Sequence, residues 1–329
     1  MKRLLALLLI LVACAPVWAA KHPSYTYFRV GNANDVTTAT TAGTVLMGGG
    51  TDVDAAFQWM CGKAGNGDFL VIRATGTDAY NPYILDLCQG VNSVATLIIP
   101  SAAAANDPGV AAIMQNAEAI WIAGGDQSNY INFWTGTPVQ SILNAKIAAH
   151  VPVGGTSAGM NVLTQFVYSA LAPQGATSSQ SLADPFNRYL TFARDFANVS
   201  SVAGVIGDPH FVTRDRMGRD LAFLCRVAAN GWSNAPRGVA VDEQTALLID
   251  GSGQATLVGN SKAYFLQAPG PAQVCAAKTP LTYLNIAVQR IDTLGTFDFV
   301  TWAATGATNY TVSANAGVLS STQAGGSAY

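Results

Sequence analysis

Short apolar runs alternate with longer stretches of helical periodicity over the first two thirds of the chain, from about residue 27 to residue 206. Runs rich in β-branched residues predict strands at residues 27–30, 44–47, 69–73, 94–100, 119–123, 151–154 and 202–207. Apolar positions at helical spacing predict helices at residues 52–62, 108–116, 138–149 and 157–168. The strand runs are almost continuously apolar, as in strands that are covered on both faces. The pattern therefore predicts an α/β fold with a mostly parallel sheet flanked by helices.

The pattern changes in the last third of the chain. A helical segment follows Arg214, and residues 238–250 and 255–259 then predict an antiparallel pair of strands. The remaining C-terminal sequence is rich in Thr, Tyr and Val, which favours extra strands, and it ends in a Gly-Gly-Ser-Ala-Tyr tail that we expect to fray. We therefore expect a single α/β domain over residues 20–329 that carries a β-rich C-terminal extension.

The N-terminus has the pattern of an export signal. Two cations precede the apolar run 4–13, which is too short to cross a bilayer but suits a secretory signal. Val17-Trp18-Ala19 fits a signal-peptidase site and would make residues 1–19 a signal peptide. Leu11-Val12-Ala13-Cys14 fits a bacterial lipobox instead, in which case a lipid anchor on Cys14 would be the membrane contact. Both patterns predict a periplasmic or extracellular protein.

Composition narrows the range of partners. Half of the 329 residues are hydrophobic and only 11% are charged, which is typical of a compact globular protein. The net charge of −2 cannot provide the positive field on which nucleic-acid binding depends. We therefore expect no nucleic-acid partner.

The cysteines fit disulfides better than a metal site. An oxidising compartment lets thiols pair, and setting Cys14 aside leaves Cys61, Cys88, Cys225 and Cys275. Four cysteines allow three pairings. Sequence order favours the pairing of Cys61 with Cys88 and of Cys225 with Cys275 but does not decide among the three. The chain has no C-x-x-C pair and only three histidines, so we predict no metal and no cofactor.

The sharpest chemical motif is Gly155-Thr156-Ser157-Ala158-Gly159, a G-x-S-x-G between a predicted strand and a predicted helix. At a tight strand-to-helix turn, a serine hydroxyl is pushed out above the sheet, where a substrate can reach it. The N-H of Ala158 at the start of the helix is a natural donor to a developing oxyanion. This setting predicts a nucleophilic serine at position 157.

A nucleophilic serine needs a base, and histidine is the side chain whose pKa suits that role near neutral pH. His22 lies beside the signal-cleavage region, and His150 would sit at the far end of the strand that leads to Ser157. His210 remains, at the predicted carboxyl end of a strand, where open α/β sheets place their sites. The orienting carboxylate stays open at this point. The candidates are Asp208, Asp215, Asp242 and Glu243.

Four motifs together resemble cyanophycinases, which are serine peptidases related to the aspartyl dipeptidase peptidase E. They span roughly residues 45–250 and occur in the same order as in that family. The motifs are Gly124-Gly125-Asp126-Gln127, Gly154-Gly155-Thr156-Ser157-Ala158-Gly159, Asp208-x-His210-Phe211-x-x-Arg214-x-Arg216-x-x-Arg219 and Val241-Asp242-Glu243-x-Thr245-Ala246.

The resemblance implies a catalytic triad of Ser157, His210 and Glu243 on an α/β sandwich of the class I glutamine-amidotransferase type. Backbone groups near Gly125 and Asp126 would supply a second oxyanion donor. The resemblance also implies a substrate pocket formed by Gln127, Asp208, Arg214, Arg216 and Arg219. The chain departs from the family pattern at Pro209, where the family usually has glutamine.

The sequence thus predicts an exported serine hydrolase that cleaves aspartyl peptide or isopeptide bonds, such as β-aspartyl-arginine, through an acyl-enzyme. A peptidase E-like dipeptidase and an inactive exported binding protein are the alternatives, and the G-x-S-x-G motif alone would also suit a lipase or esterase. A homodimer stays open. The glycine runs 48–50 and 124–125 fit neither G-x-G-x-x-G nor the P-loop pattern, so a nucleotide loop is not expected.

Overall fold

The computed structural model describes residues 24–329. The predicted signal peptide (residues 1–19), the alternative lipobox ending at Cys14, and His22 lie outside the described residues. Among the helices of residues 24–329, none combines the length and apolar character that crossing a membrane requires.

Helices and strands alternate up to the middle of the chain, and strands dominate after it. The helices are α1 (Asp54–Lys63), α2 (Tyr80–Leu87), α3 (Ala102–Ala105), α4 (Pro108–Gln115), α5 (Gln127–Trp134), α6 (Pro138–Ala148), α7 (Ala158–Leu163), α8 (Ser178–Ala183) and α9 (Met217–Ala229). The strands are β1 (Thr26–Gly31), β2 (Gly43–Met47), β3 (Asp68–Arg73), β4 (Ser93–Ile98), β5 (Ala119–Ile122), β6 (Val153–Thr156), β7 (Phe166–Tyr168), β8 (Phe192–Arg194), β9 (Val205–Pro209), β10 (Arg237–Val241), β11 (Thr245–Asp250), β12 (Gln254–Gly259), β13 (Ala263–Gln267), β14 (Tyr283–Ile291), β15 (Thr296–Asp298), β16 (Ala303–Thr305), β17 (Thr308–Asn315) and β18 (Val318–Ser321).

The first sheet has ten strands in the order β1-β4-β3-β5-β6-β2-β11-β12-β15-β16. Its block from β4 to β2 is parallel, so the carboxyl ends of β2, β3, β5 and β6 lie at one edge. The flanking pairs are antiparallel. The second sheet has eight strands in the order β18-β17-β14-β13-β10-β9-β7-β8, with β10, β9 and β7 parallel and the other pairs antiparallel.

The α/β class is confirmed, whereas the mostly parallel sheet is a correction, because both sheets are mixed. The parallel blocks are those in which helices connect successive strands. In the C-terminal part, β11 with β12, β15 with β16 and β17 with β18 are joined by short connections, which permit antiparallel pairing only. The relation to glutamine amidotransferases and the single domain over residues 20–329 stay predictions.

Residues 238–250, predicted as one strand, form two strands in different sheets. Strand β10 belongs to the second sheet and β11 to the first, and residues 242–244 form the corner between them. Gln244 has φ 56° at this corner, a left-handed conformation that ends a strand. The chain therefore crosses from one sheet to the other at Asp242 and Glu243.

One buried core is shared by the two sheets. It contains Leu46 and Ile120 of the first sheet together with Val205 and Val239 of the second. A separate apolar cluster covers the opposite face of the first sheet, where Phe57 of α1 lies 4.6 Å from the Trp121 ring of β5. Since β5 is covered on both faces, its uninterrupted apolar sequence follows from its position.

Two disulfides fix the pairing that the sequence left open. Cys61 of α1 is bonded to Cys88, the residue after α2, and Cys225 of α9 is bonded to Cys275. The second bond ties a helix on the second sheet to the segment before β14.

Candidate active site

Ser157 stands at the turn between β6 and α7 in a strained conformation, with φ 52° and ψ −111°. Its N-H donates to the carbonyl of Met47 at 3.0 Å, and its carbonyl accepts from the N-H of Asn161 at 3.1 Å. The flanking glycines are required by close backbone approach. A Cβ at Gly159 would collide with the carbonyl oxygen of Ile122, and one at Gly155 would lie 2.6 Å from the carbonyl carbon of Gly159. The motif therefore has the geometry of a nucleophile elbow.

The structure brings Ser157, His210 and Glu243 together. His210 follows the end of β9, and its Nε2 lies 2.7 Å from Oγ of Ser157. Its Nδ1 lies 2.5 Å from Oε1 of Glu243, which stands at the corner between β10 and β11. The imidazole is almost fully buried, so these two partners fix both ring nitrogens.

The other three candidate carboxylates have different partners. Asp208 is fully buried and paired with arginines, and Asp215 accepts a hydrogen bond from the Tyr329 hydroxyl. Asp242 accepts from the N-H groups of Val212 and Thr213, at 3.0 and 2.9 Å. Geometry therefore selects Glu243, a choice that the residue spacing had left open.

The glycine loop, residues 48–50, is a part of the site that the sequence analysis missed. The carbonyl of Gly48 accepts from the His210 N-H at 2.8 Å, and the carbonyl of Gly49 accepts from the Gln244 N-H at 2.8 Å. A Cβ at Gly49 would collide with the His210 ring. The loop thus packs against the imidazole. Its carbonyls accept hydrogen bonds from the backbone of His210 and from that of Gln244, the residue after Glu243. Its position directly after a predicted strand was the available signal.

Electrostatics keep the imidazole neutral near pH 7. Burial lowers the pKa of His210 below its ordinary value, and the positive charges of Arg214 and Arg216 lower it further. The hydrogen bond to Glu243 raises the pKa but does not reverse the direction. With Glu243 as acceptor, Nδ1 carries the proton and Nε2 is free to accept from Ser157, an assignment that follows from the partners.

Ala158 directly follows Ser157, and Gly125 and Asp126 follow Gly124, which lies near Ser157. Ala158 is the first residue of α7, and a Cβ at Gly124 would lie 3.6 Å from Cβ of Ser157. Gly125 and Asp126 follow as exposed residues. The Asp126 carboxylate caps α5 by accepting from the Ser128 N-H at 2.9 Å. The part of Asp126 that is predicted to contact an oxyanion is therefore its backbone.

The predicted binding arginines differ sharply in exposure. Arg219 is buried and contacts both carboxylate oxygens of Asp208, while Arg216 donates to Asp208 at 3.3 Å and to the Pro209 carbonyl at 2.6 Å. Burial lowers the pKa of Arg216 to about 10. The Arg214 side chain is 53% exposed, and its Nε lies 3.6 Å from Oε1 of Glu243.

A cleft of about 410 Å³ runs along these arginines and the loop 175–179. Asp208 is fully buried and forms ion pairs with Arg216 and Arg219. Gln127, also predicted to line the pocket, donates its amide to the Tyr168 carbonyl at 3.2 Å.

A second cleft, of about 490 Å³, begins at Gly50. Gly50 also packs against Glu243, since a Cβ there would lie 3.1 Å from Oε2 of that carboxylate. Asp52, Asp54 and Tyr80 are among the residues that line this cleft. Within residues 24–329, no group of three or more His, Cys, Asp or Glu side chains could hold a metal ion.

Comparison with known proteins shows similarity to peptidases. The model of Peptidase family S51 matches residues 45–183. The cyanophycinases of Trichormus variabilis and of a Nostoc species are each 26% identical over 186 residues, which is 54% of this chain and 55% of the relative. The resemblance to the cyanophycinase and peptidase E-like family is confirmed. This cyanophycinase-like chain spans about half the length of the curated relatives that it matches.

Two solved structures are also similar to the cyanophycinase-like chain. A peptidase from an acI-B1 Actinobacterium is 16% identical with a TM-score of 0.49, covering 72% of this chain and 97% of that one. A putative peptidase E protein from Listeria monocytogenes is 14% identical with a TM-score of 0.41, covering 68% of this chain and 100% of that one.

The S51 match includes Ser157 and Gln127 but ends before His210 and Glu243. The placement of these two residues beside Ser157 therefore rests on the distances described above.

Gly49→Ala should misplace the His210 ring, because the added methyl would collide with it and because φ at Gly49 is +97°. We expect the rate of Ser157 labelling by a fluorophosphonate to fall about 100-fold, the loss that a catalytic group displaced by about 1 Å produces. Gly62→Ala is the matched control, since a Cβ at this helical glycine meets nothing within 4 Å. Equal labelling of the two variants would contradict the role assigned to the glycine loop.

The labelling rate should also depend on pH with a defined sign. We expect neutral His210 to act as the base. Because burial lowers its pKa, reactivity should be lost only as pH falls through a value below 6.5. The pH–rate profile for wild-type labelling measures this inflection. An inflection at pH 6.5 or above would show that the imidazole does not have the lowered pKa.

Proposed function

We propose that this chain is a serine peptidase that works through a Ser157 acyl-enzyme. The main observation behind this proposal is a pair of hydrogen bonds. Ser157 Oγ lies 2.7 Å from Nε2 of His210, and Nδ1 of His210 lies 2.5 Å from Oε1 of Glu243. Both pairs are within hydrogen-bond reach, as a nucleophile, its base and the orienting acid require. The S51 match and the cyanophycinase relatives support a peptidase reaction.

The geometry gives each group a step. His210 Nε2 accepts the Ser157 proton while Oγ bonds to the substrate carbonyl carbon, and Glu243 stabilises the imidazolium through Nδ1-H. The Ala158 N-H and backbone groups near Gly125 receive the oxyanion. As the intermediate collapses, the C-N bond breaks and the amine takes the proton from His210. Water then attacks the ester carbonyl carbon while His210 takes its proton, the C–Oγ bond breaks, and His210 returns the proton to Oγ of Ser157 as the acid leaves.

We propose an aspartyl substrate with a peptide or isopeptide bond, such as β-aspartyl-arginine. Arg214 supports this choice, because its exposed guanidinium lies 3.6 Å from Glu243 in a protein of which only 11% of the residues are charged. A guanidinium fork matches a carboxylate in geometry and charge. Pro209 replaces the glutamine usual in the family, yet its carbonyl still binds Arg216, so the arginine cluster has a partner at that position.

We also propose export. The N-terminal pattern supports it, as do two disulfides, which persist in oxidising compartments. A soluble form and a Cys14-anchored form remain alternatives within that proposal, and detergent partition of the mature protein separates them.

Ser157→Ala should abolish fluorophosphonate labelling and lower peptide turnover by at least about 10⁴-fold, because the nucleophile is removed while the fold is kept. The assay compares β-aspartyl-arginine polymer, isoaspartyl dipeptides and p-nitrophenyl esters. Turnover of polymer supports the cyanophycinase-like activity, whereas turnover of dipeptides alone supports the peptidase E-like one. Turnover of esters alone would refute the peptidase proposal, and labelling that persists in Ser157→Ala would remove Ser157 as the nucleophile.

Arg214→Gln should raise KM for aspartyl substrates by about 10- to 100-fold, the loss expected for one charge-assisted hydrogen bond. Ester turnover should change little, because an ester offers no carboxylate to this side chain. Arg194→Gln is a suitable control, since Arg194 is similarly exposed but pairs with Asp195. An unchanged KM in Arg214→Gln would exclude Arg214 from substrate binding.

A further inference from the structure

We propose that Tyr329 is a positioning residue for the His-Arg segment, residues 210–217, which carries His210, Arg214 and Arg216. The inference rests on the proposed function, because it assigns a task in catalysis to the C-terminal tail that the sequence had predicted to fray. In the structure the tail is docked against this segment.

The phenol of Tyr329 makes two hydrogen bonds to the segment. Its hydroxyl donates to Oδ1 of Asp215 at 2.8 Å and accepts from the backbone N-H of Met217 at 2.8 Å. Asp215 and Met217 are the two neighbours of Arg216 in the chain. One hydroxyl therefore holds the Asp215 side chain before that arginine and the Met217 backbone after it.

The bond to Met217 also satisfies the first N-H of α9. Met217 is the first residue of α9, where the first N-H groups lack partners within the helix. Arg216 occupies the N-cap position and its side chain does not cap the helix. The Tyr329 hydroxyl accepts from the Met217 N-H, and Oγ of Ser178 accepts from the Arg219 N-H at 3.2 Å, so both acceptors come from outside the helix.

The Tyr329 ring reaches the other end of the segment. It lies edge-on to Phe211 with ring centroids 5.6 Å apart, and edge-on to Tyr264 at 6.2 Å. Phe211 is fully buried and directly follows His210. The ring thus supports the residue next to the proposed base.

The segment needs such support because two of its residues have a left-handed backbone. His210 has φ 51° and Asp215 has φ 49°, a conformation that persists where surrounding contacts impose it. Asp242 binds the N-H groups of Val212 and Thr213 from one side. Tyr329 holds the part of the segment that Asp242 does not reach.

The tail is anchored to the C-terminal strands. Gln323 donates its amide to the carbonyls of Ser327 and Tyr329 and accepts from Arg290 of β14. Tyr310 of β17 donates its hydroxyl to the carbonyl of Ala328 at 2.9 Å. The β-rich extension is therefore connected through Tyr329 to the proposed active site.

The test compares Tyr329→Phe and Tyr329→Ala with Tyr283→Phe, which loses a phenol hydrogen bond to Gly270 elsewhere in the extension. The readouts are kcat and KM for an aspartyl substrate, the rate of fluorophosphonate labelling, and the rate of trypsin cleavage after Arg214 and Arg216. Trypsin cleavage reports the mobility of the segment without any need for enzymatic activity.

Tyr329→Phe should raise KM by about threefold to tenfold, because the two hydrogen bonds to the neighbours of Arg216 are lost. The labelling rate should stay within about twofold of wild type, because the ring still supports Phe211. Tyr329→Ala should slow labelling as well, and trypsin cleavage should accelerate in both variants but not in Tyr283→Phe. Should Tyr329→Ala fail to fold, Tyr329→Phe alone decides.

Wild-type KM and trypsin rates in Tyr329→Phe, or equal changes in Tyr283→Phe, would overturn the inference. Failure of wild-type protein to label would refute the proposed function instead. The trypsin comparison would then still decide whether Tyr329 holds the segment.

Discussion

The structure depends on one constraint: the two sheets must meet so that His210 reaches both Ser157 and Glu243. Ser157 follows a strand of the first sheet, His210 follows a strand of the second, and Glu243 stands where the chain crosses between them. The distances between these side chains therefore depend on how the two sheets are positioned relative to each other. The shared core sets them, and the hydrogen bond from the His210 N-H to the Gly48 carbonyl links the two sheets beside the site.

Burial and charge are divided around the same point. The ion cluster of Asp208, Arg216 and Arg219 is largely buried, so a charge there without its partner would be costly. Arg214 does not belong to this cluster and is about half exposed beside Glu243. Burial also lowers the pKa of His210 and so favours its neutral form, which can accept a proton. Desolvation thus acts on both groups: it makes the ion cluster depend on its pairing and it keeps the imidazole neutral.

Where the signal was local, the sequence pointed to residues that the structure places together. The motif around Ser157 requires a turn that only small flanking residues allow, and His210 followed by elimination among three histidines. Glu243 was named through the family resemblance alone. The residue pattern did not select it, because residues 238–250 resemble one continuous strand and the left-handed corner at Gln244 is not visible in an apolar pattern. The mixed sheets, the packing of the glycine loop against His210 and the docking of Tyr329 depend on contacts between segments far apart in sequence, which no local pattern encodes.

The most direct measurement of the central claim is the fluorophosphonate labelling rate of Glu243→Gln at pH 8, compared with that of wild type. An amide at this position keeps the shape of the side chain but favours the wrong imidazole tautomer, so the account predicts a fall on the order of 10⁴-fold in a protein with an unchanged circular dichroism spectrum. A labelling rate close to that of wild type would show that Glu243 does not orient His210, and would contradict the claim that the meeting of the two sheets assembles the site.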